Sequence, residues 1–236
     1  MENIRENLLR ARENIKKAAE KSGRRADDVT LVAVTKTVGL DKINELLSLG
    51  ENELGENKVQ EFSEKYGKLD SEPSWHLIGH LQTNKVKHII GKVKLIQSVD
   101  SERIAEEINK RASLDNIVMN VLIEINIAEE NTKYGIHPDK TLYFIEHLYP
   151  LSNICVRGLM CIAPLTKKPD ENRVYFKKML KLYIDAKKEF AHNTPIDTLS
   201  MGMTNDYVEA IEEGATMVRL GAALFGNRTK NEGVLG

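Results

Sequence analysis

The chain has 236 residues, 41% of them hydrophobic and 29% charged, the make-up of a globular protein with a full core. Its 34 basic and 35 acidic side chains leave a net charge of −1, so no basic excess marks a nucleic-acid surface. No apolar run approaches the roughly 20 residues that a membrane span needs, and the charged N-terminus lacks the apolar stretch of a signal peptide.

Residues 3–21 place Ile4, Leu8, Leu9, Ala11, Ile15, Ala18 and Ala19 at helical spacing, and Gly23 follows as a stop signal. Strand-like runs then fall at 30–35, 51–55, 75–79, 94–99, 117–127, 154–161, 196–200 and 216–220. Helical patterns lie between them, near 41–49, 57–66, 83–91, 101–113, 138–148, 170–190 and 205–213. Eight strands each separated by a helix imply a parallel sheet. That count, in a chain of this length, predicts a single (β/α)8 barrel of the TIM type over residues 1–236, with an extra N-terminal helix. An open doubly wound sheet is the alternative, but no G-x-G-x-x-G follows the first strand. Cys155 and Cys161 lie six apart in an apolar segment and read as two reduced thiols of a cytoplasmic protein.

Active sites of such barrels lie at the C-terminal ends of the strands. The first strand, "LVAVTKT", ends in Lys36, an ammonium where burial is costly. Desolvation at the rim lowers a lysine pKa, and a neutral amine attacks carbonyls. The plain alternative is a strand-end lysine reaching solvent. After the seventh strand, "SMGMTND" (200–206) supplies Ser200, Gly202 and Thr204 before a helix. After the eighth, "GAALFG" supplies Gly221 and Gly226. Loops at those two positions often hold phosphate in barrels, and helix N-termini favour anions. A lysine facing a phosphate cradle fits a Schiff base with a phosphorylated aldehyde, either pyridoxal phosphate or the substrate of a sugar-phosphate aldolase. Arg219 on the eighth strand suits a pyridine nitrogen, which it would keep unprotonated. It also reads as a structural arginine paired with a carboxylate. His76 and His80 are four apart, but the segment reads as a strand and lacks the glutamate of a zinc motif. His76 reads as a core histidine, His80 as a rim residue, and Lys133 and Tyr134 as exposed loop residues.

Seven stretches then fall in order: "LVAVTKT", "LGENKVQEF", "WHLIGHLQTNK", "SVDSERIAEEI", "NTKYGI", "RGLMCIAP" and "LSMGMTNDYVEAIEEGATMVRLGAALFG". In these the sequence resembles the YggS/PROSC family of pyridoxal-phosphate homeostasis proteins, which are similar to the fold-type III barrel domain of bacterial alanine racemase. The resemblance covers essentially the whole chain. It implies pyridoxal 5'-phosphate held as a Schiff base on Lys36, with Asn57 beside it. It further implies Ser200, Gly202 and Thr204 at the phosphate, Arg219 at the pyridine nitrogen, and Gly221, Phe225 and Gly226 at the second loop. Val38 departs from the polar or basic residue that relatives often carry, and Lys133 matches another family lysine. No metal is implied.

Racemases of this kind take their second base from a separate β domain, and here a barrel is expected to use all 236 residues. General acid–base catalysis needs a positioned group. The expected function is therefore that of a binding protein that carries and buffers the cofactor, not an enzyme. A small racemase or a Schiff-base aldolase is the alternative. The expected partners are pyridoxal phosphate and apo-enzymes that accept it, without nucleic acid or membrane. A monomer is the expected state.

Overall fold

The computed structural model describes residues 3–130 and 132–226. Asn131 of the "NTKYGI" stretch and residues 227–236 of the expected domain lie outside them. The chain opens with helix α1 (Ile4–Lys21), whose Asn3 cap accepts a hydrogen bond from the Glu6 N–H. Strands and helices then alternate: β1 (Thr30–Val34), α2 (Leu40–Ser48), β2 (Glu53–Glu56), α3 (Val59–Lys65) and β3 (Ser74–Leu77). Next come β4 (Leu95–Val99), α4 (Glu102–Leu114), β5 (Met119–Ile125), α5 (Thr141–His147), β6 (Ile154–Cys161) and α6 (Arg173–Glu189). The last elements are β7 (Thr198–Met203), α7 (Tyr207–Glu212), β8 (Met217–Leu220) and α8 (Ala222–Phe225). Every strand pairs in parallel with its neighbour, and β8 closes onto β1 with Thr30 opposite Met217 and Ala33 opposite Leu220. This is the expected closed (β/α)8 barrel.

Two layers of apolar burial explain why the strands read as near-continuous hydrophobic runs. The larger cluster lies between strands and helices and includes Leu31, Leu54, Leu77, Ile96, Ile123 and Phe176. A small second cluster, Val32, Leu95, Leu122, Met160 and Met217, fills the barrel interior. Helix α1 turns its stripe of Ile4, Leu8, Ala11, Ile15 and Ala18 inward and packs on α7 and α8. Small alanines on that stripe allow close approach, and the Arg24 guanidinium after the helix donates to the carbonyls of Ile211 and Ala215.

Four expectations are corrected. Residues 83–91 do not form an α-helix: Thr83–His88 is a 3₁₀ helix that buries Val86, with Ile89 N–H bonded to the Val86 carbonyl. The helices expected at 138–148 and 170–190 begin as 3₁₀ turns, Pro138–Lys140 and Pro169–Asn172, before α5 and α6 proper. Proline suits such a first turn because its missing N–H needs no partner there. Residues 200–206 are not one loop, because β7 runs on through Met203. Ser200 pairs with Met217 and Met203 with Arg219, so β7 carries an extra residue, a bulge, between them. Gly202 sits in that bulge at φ +91, where a Cβ would lie 2.5 Å from the Ala210 Cβ, so glycine is required. Finally, Ala222–Phe225, expected as a loop, closes into the one-turn helix α8.

Candidate functional site

A cavity of about 780 Å³ opens at the C-terminal mouth of the barrel, lined among others by Lys36, Lys133, Thr204, Arg219 and Gly221. It brings together four of the nine site residues expected from sequence: Lys36, Thr204, Arg219 and Gly221.

Lys36 is half-buried in a turn just past β1, where the Val38 N–H bonds the Thr35 carbonyl. Thr37 takes up the left-handed conformation at φ +62, and its N–H donates to Glu61 Oε2 at 2.8 Å. The root of the turn is pinned from behind. The Thr35 N–H bonds the Gly55 carbonyl, and Thr35 Oγ1 donates to Glu56 Oε1 at 2.7 Å. Lys65 Nζ, from α3, donates to both the Thr35 carbonyl (2.7 Å) and Glu56 Oε1 (2.6 Å). Both partners of this pair are buried. Burial pushes the Glu56 carboxyl upward, and Lys65 and Thr35 oppose it.

Across the mouth, Arg219 is only 3% exposed. Its Nη1 donates to Ser200 Oγ at 2.6 Å and its Nη2 to the Cys161 carbonyl at 2.8 Å. Burial pushes its pKa down, opposed by Cys161, Glu124 and Asp206. It stays a cation all the same, since guanidinium does not deprotonate in proteins. Ser200 is fully buried behind it and donates onward to Gln97 Oε1 at 2.7 Å. His76 is the expected core histidine, 1% exposed between Glu53 and Gln97.

The turns after β7 and β8 are tied together. Thr204 Oγ1 accepts from the Ala223 N–H at 3.2 Å, and its own proton remains available to an acceptor in the cavity. Asp206 accepts from the Met203 N–H (2.7 Å) and from Asn172 Nδ2 (2.7 Å), fixing the turn. The helices here are short, α7 of six residues and α8 of four, so their dipoles supply less than the sequence suggested. The remaining expected residues sit around the cavity without lining it. Ser200 lies beneath Arg219, and Gly202 lies against α7. Asn57 is half-buried at the exit of β2, its carbonyl against Gly79. Phe225 packs on the core, and Gly226 lines a smaller cavity of about 390 Å³ shared with Thr204 and α1.

The family model described as "Alanine racemase, N-terminal domain" matches residues 7–229. A pyridoxal phosphate homeostasis protein of Aquifex aeolicus is 45% identical over 227 residues, covering 96% of this chain and 99% of that one. The chain belongs to the pyridoxal phosphate homeostasis protein family. The Haemophilus influenzae member is 39% identical, with 96% of each chain covered. PipY of Synechococcus elongatus, 30% identical, superposes with a TM-score of 0.84 without PLP and 0.82 with PLP bound, covering 95% of this chain and 100% of PipY. An alanine racemase of Clostridium difficile, 19% identical, shares the fold at a TM-score of 0.70 over 98% of this chain and 58% of its own.

In this member of the homeostasis family a further titratable group, not among those expected from sequence, lies within electrostatic reach of Arg219. Glu124 on β5 is 7% exposed. Its pKa is pushed up to about 7, chiefly by burial and further by Asp100, with Arg219 opposing. The signal was present in "NVLIEI", one carboxylate in an apolar run, the same anomaly that marked Lys36. Asp100 Oδ2 meets His80 Nδ1 at 3.1 Å, and the His80 ring stacks on exposed Tyr134 with centroids 3.7 Å apart. His80 is thus at the rim, as expected, and Tyr134 is partnered there.

Proposed function

We propose that this chain binds pyridoxal 5'-phosphate at the barrel mouth, retains it through Lys36, and carries or buffers it for apo-enzymes that need it. One observation carries the proposal: a half-buried amine and a buried guanidinium line a single cavity, with a hydroxyl and a glycine turn on its wall. When bound, pyridoxal phosphate supplies an aldehyde carbon open to a lysine amine, a phosphate, and a pyridine nitrogen. The donor set fits those three groups. Lys36 offers the amine, Thr204 and the Gly221 turn offer contacts to the phosphate, and Arg219 offers N–H donors to the nitrogen. Because a guanidinium only donates, the nitrogen beside it stays unprotonated. In this assignment Ser200 anchors Arg219, Gly202 shapes the bulge that presents Thr204, and Asn57, Phe225 and Gly226 frame the site from behind. The chain acts as one domain over 1–236, within the cytoplasm and as a monomer.

The names and near-complete coverage of the relatives support a carrier over the racemase or aldolase alternatives. The test has two parts. Holo-protein mixed with an apo pyridoxal enzyme should activate it at a rate distinct from that of free cofactor. L- and D-alanine incubated with the holo-protein in D2O should not interconvert by NMR. Interconversion within the usual enzymatic range of roughly 1–10³ s⁻¹ would replace the carrier with a racemase. For the phosphate, Thr204→Val should weaken retention about tenfold or more, since a hydrogen bond to a charged group is worth roughly 1.5–3 kcal/mol. Equal affinity for pyridoxal and its phosphate would remove the phosphate contact.

A further inference from the structure

Five polar side chains from five different strands join inside the barrel. From the mouth downward, Arg219 Nη1 donates to Ser200 Oγ at 2.6 Å, and Ser200 donates to Gln97 Oε1 at 2.7 Å. Gln97 Nε2 meets His76 Nδ1 at 2.9 Å, and His76 Nε2 meets Glu53 Oε2 at 2.6 Å. Lys94, exposed at the opposite end, donates to the other Glu53 oxygen. Arg219, Ser200, Gln97 and His76 are each 3% exposed or less.

The chain of bonds can run in only one direction. A guanidinium has no acceptor, so Ser200 must accept from Arg219, and its single proton must go on to Gln97. That turns the Gln97 carbonyl toward Ser200 and its amide toward His76. His76 Nδ1 is then an acceptor, its proton sits on Nε2, and Glu53 receives it as a carboxylate. The spare Gln97 N–H meets Met217 Sδ at 3.2 Å, so the amide is fully used. The reverse amide orientation would turn the Ser200 proton toward a donor and, by moving the imidazole proton to Nδ1, turn a bare Nε2 lone pair toward the Glu53 carboxylate. The titration behaviour agrees. Burial holds His76 below the usual imidazole range, and His76 and Lys94 together outweigh burial to hold Glu53 below the usual carboxylate range.

We infer that Gln97 and His76 are positioning residues: through the Ser200 hydroxyl they fix the Arg219 guanidinium, so that its remaining N–H groups meet a ligand in the mouth in one set orientation. Removing one partner from a buried network costs stability whatever that partner's role, so stability is not the informative readout. The orientation of Arg219 is.

The first measurement uses the chain with no cofactor added. In ¹⁵N NMR, Arg219 should give two separate, slowly exchanging Nη signals, and His76 should be neutral with its proton on Nε2. Gln97→Met and His76→Leu should merge the Nη signals and raise their exchange with water roughly tenfold, the effect of about one ordinary hydrogen bond. Gln97→Met, one link nearer, should do so more strongly. His76→Gln keeps an acceptor toward Gln97 and a donor toward Glu53, so it should restore the parent spectrum. A His76 proton found on Nδ1 overturns the inference from the parent chain alone, even if a variant fails to fold. Unchanged Arg219 signals in folded Gln97→Met, or equal damage from His76→Gln and His76→Leu, overturn it as well. The second measurement adds pyridoxal phosphate and therefore rests on the proposed function. Gln97→Met should shift the visible band and speed cofactor loss about tenfold, matching the same bond. No band in the parent would sink the cofactor assignment while leaving the Arg219 result standing, and a band unchanged in Gln97→Met would overturn the positioning role.

Discussion

The two sides of the mouth show their anchoring at different points of the functional side chain. On the β1 side the protein grips the backbone beneath Lys36: Glu56 and Lys65 clamp Thr35 from outside the barrel, and the amine stands on a four-carbon stem. On the β8 side it grips the tip: both Nη groups of Arg219 are bonded from inside the barrel. A group that makes and breaks a bond needs reach, and fixing the root beneath Lys36 sets where its long stem begins. A group that only donates hydrogen bonds gains from being held at its end, because preorganised donors need no rearrangement when the ligand arrives.

The largest break in this comparison removes the reaching group. Lys36→Ala should abolish borohydride-fixed attachment of pyridoxal phosphate, read by mass spectrometry of the intact chain. An adduct at full yield on another lysine would refute the assignment. Next, Glu56→Ala should loosen the root of the lysine side. It leaves the buried Lys65 charge without its carboxylate, a loss worth about 3–5 kcal/mol in urea unfolding. The Arg219 NMR signals should be unmoved, and a cost under about 1 kcal/mol would show that the clamp does not anchor the turn.

A third variant sharpens the arginine side. Glu124 has its folded pKa raised to about 7. Between its ordinary value and about 7 the unfolded chain has released the proton that the folded chain keeps, so stability falls as pH rises through this window. Glu124→Gln should therefore stabilise the protein by about 1–3 kcal/mol at pH 8 and by nothing at pH 4. A gain equal at both pH values would mean packing and not charge. The smallest effect is expected at the solvent end of the interior chain. Lys94→Ala removes a half-exposed partner of Glu53 and should cost less than about 1 kcal/mol, with the Arg219 spectrum unchanged.

The barrel was legible because strands buried on both faces read as short apolar runs, and helices between them kept their own period. Lys36 and Glu124 stand out for the same reason, as charges in such runs. What misled was local. The bulge at Gly202 hides a strand inside what reads as a loop, since glycine and serine are turn-like wherever they occur. The interior chain was not legible. Glu53, His76, Gln97, Ser200 and Arg219 are ordinary strand residues taken singly, and only closure of β8 onto β1 gives them a shared interior. Thr204 and Arg219 were assigned to the mouth from strand order alone and do line it, whereas Ser200, expected beside them, is spent on Arg219.

Thr37 gives the turn beside Lys36 a particular tolerance to sequence change. At φ +62 a β-branched residue sits where left-handed backbone costs roughly 1–2 kcal/mol, and its exposed side chain conceals that cost. A survey of all substitutions would find the usual surface pattern inverted here. Glycine and asparagine would be gains, valine and isoleucine losses, and proline excluded by both its fixed φ and the N–H that Glu61 needs. Residue 37 is thus constrained by its main chain, and drift at this position is confined to residues that let the neighbouring lysine keep its place.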